Sequence, residues 1–202
     1  MASTDDIKRL RDMTGAGMLD CKQALAVSGG DVDKAVRHLR EVGLLKAAKK
    51  AGRPASEGVV EAYIHPPSGP DRGRLGALVE LDCETDFVAR NDKFHELARE
   101  LAMHIVAKAP RWVNREEVPE AVVSEETDVY RTKARGDGKP EQVLDKIVSG
   151  QLENFLKENC LLEQGFVRDE KRTVKQLIDE NIAVLGENIV VRRFARFNIK
   201  ED

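Results

Sequence analysis

Along the first 43 residues the apolar positions recur with a helical period and predict three short helices. Ser3 or Thr4 caps the first, Asp5 and Asp6 occupy its opening turn, and Ile7, Leu10 and Met13 form its apolar stripe. Thr14-Gly15-Ala16-Gly17 breaks it, since two glycines in four residues allow backbone angles that a helix interior does not use. Met18 to Ser28 read as a second helix closed by Gly29-Gly30. Asp31 caps a third, where Val32, Ala35, Val36 and Leu39 keep the i, i+3, i+4, i+7 spacing until Gly43 stops it. Lys46-Ala47-Ala48-Lys49-Lys50-Ala51-Gly52-Arg53-Pro54 follows as a basic tail closed by Gly and Pro.

After Pro54 the period changes from helical to alternating. Val59 to His65 predict a strand and Pro66-Pro67-Ser68-Gly69-Pro70 a loop. In the next strand Leu75, Ala77, Val79, Leu81 and Cys83 share one face, with Glu80, Asp82 and Glu84 on an opposite, solvated one. Thr85-Asp86-Phe87-Val88 then lead into a long helix carrying Phe94, Leu97, Ala98, Leu101 and Ile105, ended by Pro110. Residues 111–140 are polar, with a helix expected over 125–135. Another helix carries Leu144, Ile147, Val148, Phe155 and Leu156, and a last one begins at Thr173 and stops at Gly186. Asn188 to Ile199, rich in β-branched and aromatic residues, reads as a third strand joining the hairpin. The pattern predicts an α+β protein: a three-helix domain at 1–45, a basic linker at 46–55, and a core at 56–202 with a three-stranded antiparallel sheet and packed helices.

Composition adds limits. At 202 residues, with 41% hydrophobic and 34% charged positions, the chain can bury a real core. No apolar run approaches the ~18 residues of a membrane span, and MASTDDIKRL lacks the apolar stretch of a signal peptide. A cytoplasmic protein with no membrane partner is expected. Cys21, Cys83 and Cys160 lie far apart, which argues against a disulfide scaffold or a zinc ribbon. Charge is uneven: residues 1–53 carry 11 Lys+Arg against 7 Asp+Glu, whereas 54–202 carry 22 against 29. A basic head on an acidic body suggests that the head meets an acidic surface.

The chemistry-bearing patterns are weak. Gly15-Ala16-Gly17 lacks the preceding strand and the Lys-Ser/Thr ending of a phosphate loop. His38, His65, His95 and His104 show no metal-ligand spacing, and His38 and His104 are expected at solvated or edge positions of helices. Asp82-Cys83-Glu84-Thr85-Asp86 alternates carboxylates, yet Phe87 stands where a calcium loop needs its flexible glycine, so a solvent-facing strand edge is the favoured reading. A Cys83/His95 hydrolase is disfavoured because Cys83 falls on the apolar strand face. The run 46–53 lacks the aromatics that stack bases, which disfavours RNA binding. Phe87 is the odd residue, a scarce aromatic beside an acid where strand turns into helix. Spacing favours an account with Asp86 capping the helix and Phe87 tucked into the core; the alternative exposes Phe87 as a wedge for a partner's apolar pocket.

Two long motifs, Leu10-Arg11-Asp12-Met13-Thr14-Gly15-Ala16-Gly17-Met18-Leu19-Asp20-Cys21-Lys22-Gln23-Ala24-Leu25 and Glu80-Leu81-Asp82-Cys83-Glu84-Thr85-Asp86-Phe87-Val88-Ala89-Arg90, closely resemble the two signatures of bacterial translation elongation factor Ts. Lys46-Ala47-Ala48-Lys49-Lys50-Ala51 and Gly186-Glu187-Asn188-Ile189-Val190-Val191-Arg192-Arg193 are similar to that family too. The resemblance implies a guanine-nucleotide exchange factor for the GTPase elongation factor Tu, acting by protein–protein binding, with no catalytic residues, no cofactor and no direct nucleic-acid contact. It implies that the head is a ubiquitin-associated-like domain that docks on the GTPase. The positions matching the family's partner contacts are Arg11, Met18, Leu19, Asp86 and Phe87. Thr85, Asp86, Phe87 and Val88 match the segment associated with dislodging the partner's Mg²⁺. Asp82 departs from the family's more usual uncharged residue such as Asn. The chain also carries one core half where long members have two, which implies a homodimer as the source of a second contact surface.

Overall fold

The fold is described from a computed structural model, over residues 3–66, 68–70 and 72–200. Pro67, in the expected hairpin loop, lies outside the described residues.

Helix α1 (Thr4–Thr14) starts in a capping box: the Ser3 hydroxyl accepts from the Asp6 amide at 3.0 Å while the Asp6 carboxylate accepts from the Ser3 amide at 3.4 Å. Gly15 ends it at φ 67°, a left-handed conformation open to glycine at little cost. Helix α2 (Met18–Val27) follows the turn, and Asp31 caps α3 (Val32–Ala48) by accepting from the Lys34 amide at 3.0 Å. The three helices share an apolar cluster of Leu10, Cys21, Ala24, Leu25 and Ala35, ringed by Ile7, Ala16, Val32, Val36 and Leu39. Two expectations are corrected. Met13 is 56% exposed and is not among the side chains packed in that cluster, which α1 enters through Ile7 and Leu10. Gly43 does not stop α3; it is buried inside the helix, and an added Cβ would stand 3.3 Å from that of Ala183. Here glycine serves close packing rather than termination.

Strands β1 (Glu57–His65), β2 (Leu75–Cys83) and β5 (Ile189–Asn198) form one sheet in the order β1-β2-β5. It is antiparallel: Gly58 approaches Asp82 while Gly76 approaches Ile64, and Arg192 reaches Asp82 while the Ile199 amide donates to the Arg74 carbonyl at 3.2 Å. Ala77, Val79, Leu81 and Cys83 are buried as alternation requires. The opposite face of β2 is not solvated throughout. Asp82 is buried because the Arg192 guanidinium donates to it at 2.8 Å, which satisfies the charge that water would otherwise hold.

Between β2 and β5 lie α4 (Asp86–Ala89), α5 (Asp92–Lys108), α6 (Glu120–Gly136), α7 (Glu141–Asn159), the hairpin of β3 (Gly165–Phe166) with β4 (Asp169–Thr173), and α8 (Val174–Leu185). Helix α6 is longer than the expected 125–135, since Pro119 opens it and Val122 and Val123 join the cluster of Val118, Phe155, Leu156 and Cys160. The β3–β4 hairpin was not expected, as only Phe166 gives those few residues an apolar signal. His104 is corrected from an edge position to full burial. Its Nδ1 accepts from the Val167 amide at 3.1 Å and its Nε2 lies 2.9 Å from Gln164 Oε1, which assigns the proton to Nε2 and the ring to the neutral form.

The chain divides into two compact units. The first comprises the described residues up to Glu61 with Glu80–Arg99 and Gln176–Arg192; the second comprises Ala62–Val79, Glu100–Lys175 and the described residues from Arg193 onward.

Candidate functional site

Arg11, Met18, Leu19 and Thr85–Val88 fall within the first unit. The Thr85–Val88 segment is the corner between β2 and α4. Thr85, not Asp86, is the N-cap residue, with an extended backbone at φ −132° and ψ 158°. Its carbonyl accepts from the Ala89 amide at 3.1 Å and from the Cys83 thiol at 3.2 Å. Asp86 is the first helical residue, where a carboxylate suits the positive end of the helix, and it pairs with Arg90 one turn on at 3.1 Å. Phe87 is 83% exposed, the most exposed large apolar side chain among the described residues. The tucked-in account is therefore overturned: Ala89, two residues on, takes the buried position, and helical geometry turns Phe87 outward.

The corner is held from outside its own segment. The Glu187 carboxylate accepts from the amides of Glu84 at 3.1 Å and Thr85 at 3.0 Å, and from the Thr85 hydroxyl at 2.6 Å. In return, Glu84 Oε1 accepts from the Asn188 amide at 2.7 Å. Arg53 lies 3.6 Å from the other Glu84 oxygen, and its carbonyl accepts from the Asn188 side chain at 2.8 Å. These partners were not found by sequence reasoning, because nothing in local spacing pairs positions 84 and 85 with 187 and 188.

Arg11, Met18 and Leu19 are exposed around the Gly15–Gly17 turn, Leu19 at 78%. Met13 joins them as a further exposed apolar side chain. A Cβ on Gly15 would stand 2.9 Å from the Lys93 ammonium of α5, so this turn lies against the helix that follows the Phe87 corner.

Nucleophilic chemistry finds no foothold at Cys83. Burial, with the Glu187 carboxylate nearby, pushes its thiol up to about 11, so the thiolate is scarce near neutrality. In the basic segment, Lys46 pairs with Asp20 at 3.0 Å and the Lys50 ammonium donates to the Gly186 carbonyl, so part of its charge is used within the unit. Among the described residues no helix is long and apolar enough to cross a membrane. Nor, among them, do three or more His, Cys, Asp or Glu side chains gather where they could hold a metal ion.

Comparison with known proteins is decisive about kinship. The family described as Elongation factor TS matches residues 30–181. This chain belongs to the elongation factor Ts family. It is 54% identical over 197 residues to elongation factor Ts of Thermoanaerobacter sp. (strain X514), covering 98% of this chain and 94% of that one. It is also 52% identical over 201 residues to elongation factor Ts of Syntrophomonas wolfei and of Moorella thermoacetica, covering 92% and 97% of those chains. Elongation factor Ts relatives thus match this chain almost from end to end, and the protein takes its place in translation elongation.

Proposed function

We propose that the protein is a guanine-nucleotide exchange factor for elongation factor Tu, releasing GDP by disturbing the partner's Mg²⁺ and phosphate site. Family membership supports the exchange role, and the observation that carries the mechanism is Phe87, 83% exposed on a corner braced from two other chain segments. An exchange factor needs no nucleotide site of its own; it must bind the empty GTPase more tightly than the loaded one. By reciprocity, it then weakens the nucleotide by the same factor. In this reading Phe87 enters an apolar pocket beside the partner's metal, Asp86 offers charge next to it, and Thr85 and Val88 complete the segment that displaces Mg²⁺. Residues 1–45 are the docking module, ubiquitin-associated-like in its three helices, 46–55 the linker and 56–202 the core. Arg11, Met18 and Leu19 supply affinity, a mix of apolar anchors and arginine that suits a hot spot.

The test is release of labelled GDP from elongation factor Tu with and without the chain. Phe87→Ala is expected to lower the maximal stimulated rate by at least about tenfold, the scale of one hot-spot side chain. An unchanged rate would remove the wedge.

We include a homodimer in the reading. Ile64, Leu78, Phe197 and Ile199 of the second unit are large exposed apolar side chains around one groove, which a second copy would cover. Sedimentation is expected to give a dimer that Phe197→Asp dissociates; a monomer at working concentration would exclude the dimer.

A further inference from the structure

The clamp on the Phe87 corner uses the Gly186-Glu187-Asn188 stretch, a motif to which neither the exchange reading nor the partner contacts assign a role. We infer that Glu187 is a positioning residue for exchange: it holds the Thr85 backbone so that Phe87 projects in one direction before the partner is met. This rests on the reading of Phe87 as the wedge.

Four observations carry it. First, both Glu187 oxygens are engaged, Oε2 by the Glu84 and Thr85 amides and Oε1 by the Thr85 hydroxyl at 2.6 Å, all on the two residues preceding α4. Second, Thr85 is fixed at each of its polar atoms, with its amide and hydroxyl on Glu187 and its carbonyl on Ala89 and Cys83. A residue bound at every hydrogen-bonding group has little freedom left, and Phe87 begins two residues later. Third, α4 is a single turn of four residues, too short to hold its own direction, so its orientation depends on what fixes its two ends, and Thr85 is the anchor at the end nearer Phe87. Fourth, Glu187 is itself constrained. Gly186 adopts φ +82° after α8, its carbonyl accepts from Lys50, and the next residue, Asn188, is tied to Glu84 and Arg53. The charge-assisted bonds to backbone amides are of the stronger kind. Holding the ring in its bound direction beforehand removes an ordering cost from the step that opens the partner's site.

The experiment is a double-mutant cycle on the full chain with Glu187→Ala and Phe87→Ala, reading the maximal rate of GDP release and the half-saturating concentration separately. Glu187→Ala is expected to lower the maximal rate about tenfold, the scale of a lost charge-assisted hydrogen bond, with less than about a twofold change in half-saturation, because the exposed head contacts are untouched. In the double variant the loss is expected to match that of Phe87→Ala alone, since a positioning residue has nothing to position once the ring is gone. Amide exchange at Glu84 and Thr85 is expected to speed up in Glu187→Ala. Should that variant not fold cooperatively, Glu187→Gln, which keeps the shape and one accepting oxygen, carries the same cycle with a smaller loss. A normal maximal rate in the Glu187 variant, or losses that multiply in the double variant, would overturn the positioning role and leave the wedge standing. A normal rate in Phe87→Ala would instead remove the wedge itself.

Discussion

Leaving a phenylalanine ring in water forgoes roughly 2 kcal/mol of burial, and Phe87 forgoes most of it at 83% exposure. That loss is compensated elsewhere in the fold, so Phe87→Ala is expected to change stability by less than about 0.5 kcal/mol while impairing exchange; urea unfolding of the variant checks the first half. Met18, 45% exposed beside Leu19 at 78%, makes the complementary case. Met18→Ala is expected to weaken binding to elongation factor Tu about fivefold with the maximal exchange rate retained, on the scale of a ~1 kcal/mol interface contact, measured by titration calorimetry. At this scale the sequence was only partly legible. The motif located the Phe87 corner, but spacing favoured a buried ring, because an apolar residue next to a cap usually folds inward. Met13 misled in the same direction. Which side chain of a short segment is buried depends on its tertiary neighbours, as Ala89 rather than Phe87 shows, and periodicity does not report that.

At the scale of elements, periodicity performed well wherever a helix had a continuous apolar stripe, as in α5, α7 and α8, and wherever a strand alternated, as in β2. It failed where tertiary packing overrode a local breaker. Gly43 reads as a stop, yet α3 runs on to Ala48, because Gly43 is buried where α8 brings the Ala183 methyl close to it. Gly43→Val would add two methyls beyond that tight position and is expected to destabilise the fold by about 1–3 kcal/mol through overpacking, read from the denaturant midpoint. Were Gly43 only a helix breaker, removing it would raise helix stability, so the sign of the change separates the two. The β3–β4 hairpin escaped because strands this short carry almost no alternation, and the loop-to-loop bonding of Glu84 with Asn188 escaped because long-range pairing leaves no local trace.

At the scale of the molecule, buried charge and protonation set the conditions under which the fold persists. Burial lowers the pKa of His104 below its ordinary 6.5, while its bond to Gln164 opposes this and Lys108 reinforces it. The folded ring therefore stays neutral at a pH where the unfolded one takes up a proton. Below about 6.5 the unfolded chain binds more protons, so the stability due to His104 is complete above that value and is lost as pH falls through it toward the folded value. Unfolding midpoints measured between pH 7.5 and 5.5 are expected to fall on acidification, and less steeply in a His104→Gln variant; equal slopes would show that other groups govern the window. Composition indicates a chain able to bury a core and periodicity an α+β body, but a histidine inside it is legible only from the Gln164 and Val167 groups that satisfy its ring.

The bracing of the Phe87 corner also has a temporal side. Thr85 leaves the ribosome long before the carboxylate that will hold it, since Glu187 is added 102 positions later. Until residue 187 has been added, the Thr85 amide lacks that acceptor. A polypeptide cut short before Glu187 would lack the acceptor for the Glu84 and Thr85 amides and so would display its aromatic without that mount.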